Sequence, residues 1–130
     1  MNFFSKGSSA LLLAVNAFAR KSGVLEALHK EWEISAPGLV RRSQNTAAGI
    51  SRKAWRFGAE MDFISESFDE KNLPPEFHQG ASALYRALEE FKDQPPAELI
   101  ALLGALSRME CLSFVEHGHC AGRGEIADCY

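Results

Sequence analysis

A chain of 130 residues is the size of one domain and is long enough to bury a core of its own. Its composition, 46% hydrophobic and 24% charged with a net charge of −3, excludes a disordered or fibrous chain. Nor does it show the basic excess that nucleic acid or an anionic membrane surface selects.

The first predicted element runs from about Phe3 to Ser22. It is apolar on nearly every face between Ala10 and Ala19, Asn16 excepted, which is the pattern of a helix in the middle of a bundle, and Gly23 is placed to end it. The same opening carries features of a secretory leader, a lysine (Lys6) followed by an apolar run and Ala17-Phe18-Ala19. The run from Ala10 to Val15 is shorter than a leader's apolar core and far shorter than a membrane span, and the helical pattern continues through the would-be cleavage site. The expectation is a core helix of a cytoplasmic protein.

A short second helix follows over Val24 to Glu33, with Val24, Leu25, Leu28 and Trp32 on one side. Pro37-Gly38 breaks the pattern, and Leu39 to Ile50 reads as a weaker, polar helix. Ser51 is the expected N-cap of a long helix reaching about Glu70, with Ala54, Phe57, Met61, Ile64 and Phe68 recurring at helical spacing. Leu73-Pro74-Pro75 stops it. The next helix repeats the period through Phe77, Ala81, Leu84, Leu88 and Phe91. After Asp93-Gln94-Pro95-Pro96 a final helix, Ala97 to Met109, carries Leu99, Leu102, Leu103 and Leu106. No segment has a period of two, so the expected fold is all-α, a bundle of about five or six helices over 1–109.

From 110 to 130 glycine, cysteine and histidine replace the helical pattern, and an irregular tail is expected. It holds all three cysteines, Cys111, Cys120 and Cys129, an odd and one-ended set that fits a reducing compartment better than a disulfide framework. His117, His119, Cys120 and Cys129 are metal-capable, but their spacing lacks the paired ligands of a zinc site, so no metal is expected.

Several blocks in order carry a resemblance. They are Lys6-Gly7-Ser8-Ser9-Ala10-Leu11-Leu12-Leu13-Ala14, Ala17-Phe18-Ala19-Arg20, Gly23-Val24, Glu31-Trp32, Pro37-Gly38-Leu39, Lys53-Ala54-Trp55-Arg56-Phe57 with Glu60-Met61, Leu73-Pro74 with Phe77-His78, and Tyr85-Arg86. Together, over about Phe3 to Phe91, they resemble the C-terminal helical domain of NAD(P)-dependent oxidoreductases related to 6-phosphogluconate and β-hydroxyacid dehydrogenases, a domain long catalogued as one of unknown function. The resemblance implies a substrate-binding and dimerisation domain that works beside an N-terminal Rossmann domain, in an enzyme moving a hydride between a small hydroxy acid and NAD or NADP. It places the family's catalytic lysine upstream of Met1, so no catalytic residue is expected here. The chain has no Gly-x-Gly-x-x-Gly turn, and no cofactor is expected to bind it alone.

The same resemblance offers Asn2, Lys6, Arg56 and His78 as substrate-binding candidates. Each has a plainer reading. Lys6 is a solvated lysine or a grip on a substrate carboxylate. Arg56 either pairs with Glu60 one turn on or faces an anionic substrate. His78 reads more readily as surface than as a cleft residue. Asn16 is expected to bond a neighbouring helix, and the basic residues Arg41, Arg42, Arg52, Lys53 and Arg56 to form a solvated face. A homodimer, or a complex with a Rossmann-domain half, is the expected assembly, with neither nucleic acid nor membrane as a partner. A free-standing helical interaction module is the competing reading.

Overall fold

Six helices and one 3₁₀ turn make up the regular structure of residues 3–109, the part of the chain that the computed structural model describes. Asn2 and the whole Cys/His tail, 110–130, lie outside the described residues. In chain order the helices are α1 (Phe3–Lys21), α2 (Leu25–Ser35), α3 (Leu39–Ile50), α4 (Ala54–Glu70), α5 (Glu76–Arg86) and α6 (Leu99–Leu106), with the 3₁₀ turn Glu89–Phe91 after α5. No strand occurs among the described residues, so the fold is the expected all-α bundle. None of these helices is long and apolar enough to cross a membrane.

The helix ends follow from local chemistry. At the end of α1, Gly23 adopts φ 76°, its N–H donating to Arg20 O and that of Val24 to Ala19 O. This left-handed cap closes the last carbonyls, and glycine adopts it without the strain that a Cβ brings. Asn72, φ 62°, closes α4 the same way, with the Leu73 N–H on Phe68 O.

Helix α1 touches all five other helices, and α4 pairs with α5 as a hairpin. The core is built from Ala10, Leu13 and Ala17 of α1, Met61 and Ile64 of α4, Leu84 and Tyr85 of α5, and Leu102 and Leu103 of α6. Central placement does not cover all of α1, however. Phe4, Leu11 and Phe18 are 79%, 64% and 71% exposed, a stripe on the side its neighbours leave open.

Several local features differ from the sequence reading. Ser51 is not the N-cap of α4. It continues α3 in helical conformation, and its buried hydroxyl accepts the Ala97 N–H at 3.0 Å. A partner 46 residues away thus recruits the group that looks like a cap. Helix α5 ends at Arg86 because the chain tightens into the 3₁₀ turn, which still delivers Leu88 to the core. Phe77 leaves the expected stripe and is 73% exposed, while His78 takes the inward position.

Candidate functional site

The opening helix, the first two turns of α4 and the end of α5 converge at Lys6. Its ammonium donates to both oxygens of Glu60, at 2.9 Å to Oε1 and 2.7 Å to Oε2. It also stands 4.3 Å above the centre of the Phe57 ring, close enough for the ring's negative face to attract it. Phe57 in turn meets Tyr85 edge-on at 5.3 Å. The circuit closes through the Tyr85 hydroxyl, which donates to the backbone carbonyl of Lys6.

Helical spacing explains the α4 contribution. Phe57 and Glu60 are three residues apart, so the ring and the carboxylate share a face and receive one lysine together. Lys6 and Glu60 are both half-buried, at 23% and 31% exposure of their side chains. A pair so placed is ionic yet reachable from solvent, and a competing anion could displace the carboxylate.

Tyr85 is fully buried. Burial, and secondarily the Glu60 charge, push its phenol far above the ordinary value near 10. Above about pH 10 the unfolded chain releases this proton while the folded protein keeps it. The folded state then binds more protons, and stability falls as pH rises, by up to about 1.4 kcal/mol per pH unit. Urea midpoints at pH 8 and 11 are expected to drop further in the native protein than in Tyr85→Phe, which lacks the titrating group.

The candidates fare differently. Lys6 is engaged by Glu60, not free in solvent. Arg56 is exposed and makes no ion pair among the described residues, because the Glu60 carboxylate one turn on is taken by Lys6 across the α1–α4 interface. His78 is buried, 8% exposed, which corrects its reading as surface. Its ring packs 4.8 Å from Phe68, and its Nε2 lies 3.2 Å from where a Cβ on Gly7 would stand. The glycine on α1 makes room for the histidine on α5. His78 also lines an apolar groove of about 470 Å³ between these helices, together with Phe4, Gly7, Leu11 and Phe77. Asn2 falls outside the described residues.

Asn16 bonds neighbouring helices as expected. Its Nδ2 donates to Leu12 O at 2.8 Å and to Ser43 Oγ at 3.1 Å, and its Oδ1 lies 2.7 Å from His29 Nε2. The last two contacts tie α1 to α3 and α2, and the first stays within α1.

Sequence reading missed the role of Tyr85 and the true partner of Glu60. Tyr85 lies four residues after Ala81 and one after Leu84, on the edge of the apolar period, which was the available signal. The 54-residue separation of Lys6 and Glu60 left none. Among the described residues no cluster of histidine, cysteine, aspartate and glutamate could hold a metal ion.

A family model described as a domain of unknown function, DUF1932, matches residues 19–88, which include Phe57, Glu60, His78 and Tyr85. No curated protein matches the chain, and no solved structure does.

Proposed function

The chain belongs to the DUF1932 family of domains of unknown function, and from that premise we propose that it is the substrate-binding and dimerisation domain of an NAD(P)-dependent, hydroxyacid-dehydrogenase-like oxidoreductase. The carrying observation is the half-buried Lys6 ammonium, held over Phe57 by a carboxylate that solvent can reach. An incoming hydroxy-acid carboxylate replaces Glu60 on that cation with little new desolvation, since the lysine is already ordered and part-buried. The six helices offer no strand-to-helix turn of the kind that seats a dinucleotide pyrophosphate. On this reading a Rossmann half supplies both the nicotinamide cofactor and the catalytic lysine. The exposed stripe of Phe4, Leu11 and Phe18 supports dimerisation, because so much contiguous apolar surface favours association.

The test combines the chain with the cofactor-binding half of a complete relative and follows NAD and NADP reduction with a panel of hydroxy acids. Hydroxy-acid-dependent reduction is the expected result, and Lys6→Met is expected to raise KM about tenfold with kcat little changed. A mixture that reduces nothing, with the chain a monodisperse monomer by sedimentation, counts against the proposal. The exposed stripe also suits a helical interaction module, and that reading gains if the chain captures a partner protein yet supports no reduction.

A further inference from the structure

Between Glu33 and Glu60 the chain carries five basic residues, Arg41, Arg42, Arg52, Lys53 and Arg56, and no acidic one, although acidic residues outnumber basic ones 17 to 14 overall. Part of this segment borders an open depression of about 460 Å³ between α1 and α3. Ser9, Arg41, Arg42, Asn45 and Thr46 surround it. All five side chains carry hydrogen-bond donors, and none makes a hydrogen bond or ion pair with another described residue. By contrast Lys6, Arg86 and Arg108 each have an acidic partner. Gly49 also lines the depression, and a Cβ there would meet nothing within 4 Å, so the missing side chain leaves the space open.

We propose that this depression is a binding site for a small molecule bearing a multiply charged oxyanion, a phosphate or polycarboxylate group, seated on Arg41 and Arg42 and oriented by Ser9, Asn45 and Thr46. Guanidinium grips such groups through paired N–H donors, and hydroxyl and amide groups complete the shell without adding charge. The volume falls within the range of about 300–1,000 Å³ usual for small-molecule sites. The site is separate from the Lys6–Glu60 pair and needs no cofactor half, so its test stands independently of the proposed dehydrogenase role.

The chain of 130 residues is titrated calorimetrically with pyrophosphate and with citrate, each at low and high salt. Saturable binding of either anion with a dissociation constant of about 1 mM or tighter, weakened by salt, is expected, and the anion that binds tells phosphate from polycarboxylate. Two variants locate the site. Arg41→Ala with Arg42→Ala is expected to weaken binding about tenfold or more, because two charge-assisted contacts are lost. Gly49→Leu fills the depression, changes no charge and favours the helix, so it is expected to abolish binding while far-UV circular dichroism is unchanged. Arg52→Ala with Lys53→Ala, which alters the same basic segment outside the depression, is expected to leave affinity within about twofold. Absence of saturable binding by both anions overturns the proposal. So does an equal loss in the two charge variants with none in Gly49→Leu, which would reveal a diffuse positive field in place of a site.

Discussion

Tyr85→Ala is expected to destabilise the protein by about 4 kcal/mol, the largest effect of any single truncation near the Lys6 site. The ring is fully buried, meets Phe57 edge-on, and carries the hydroxyl that holds the backbone of α1 at Lys6. Truncation removes apolar area, leaves a cavity between α4 and α5, and releases the first turns of α1. Tyr85→Phe separates these terms. It keeps the ring and loses only the hydrogen bond, at about 1 kcal/mol. Urea denaturation of the two variants reads both numbers. Equal losses would mean that the hydroxyl, not packing, dominates.

Asn16→Asp is expected to cost about 3–4 kcal/mol, more than Asn16→Ala at about 2 kcal/mol. The position is fully buried, and the Nδ2 that an aspartate would replace with oxygen donates to Leu12 O and to Ser43 Oγ. A carboxylate there sets an anionic oxygen against a carbonyl and buries a charge with incomplete compensation. Alanine instead removes the bridge among three helices and leaves His29 and Ser43 to find other partners, a smaller loss because half-exposed His29 can reach water. Thermal melts at neutral pH check the ranking, and an Asn16→Asp protein more stable than Asn16→Ala would refute it.

Particular residues show where sequence reading succeeds and stops. Met61, Ile64, Leu84, Leu102 and Leu103 all lie in the core where helical periodicity placed them, because a period of 3.6 projects onto one face whatever the neighbours are. The same reasoning fails at Ser51 and Phe77. A capping serine and an apolar residue in phase are local signals. Ala97 claims the serine, and the packing of His78 against Gly7 and Phe68 takes the inward position beside Phe77. The Arg56–Glu60 pair fails for a related reason. A surface pair one turn apart contributes about 0.5 kcal/mol at most, less than a half-buried lysine seated on an aromatic ring offers the same carboxylate.

By itself, then, the amino-acid sequence determined the all-α class, the number and approximate limits of the helices, most of the core, and the family. Each of these rests on local periodicity, on helix-ending residues such as Gly23, or on blocks of residues in order. The tertiary structure alone decided which charges meet, which stripe of α1 stays uncovered, and that His78 is buried. Those outcomes depend on contacts between residues far apart in the chain, such as Lys6 with Glu60 and Tyr85 with the Lys6 carbonyl. No local pattern encodes such contacts, because they form only when α1, α4 and α5 have packed.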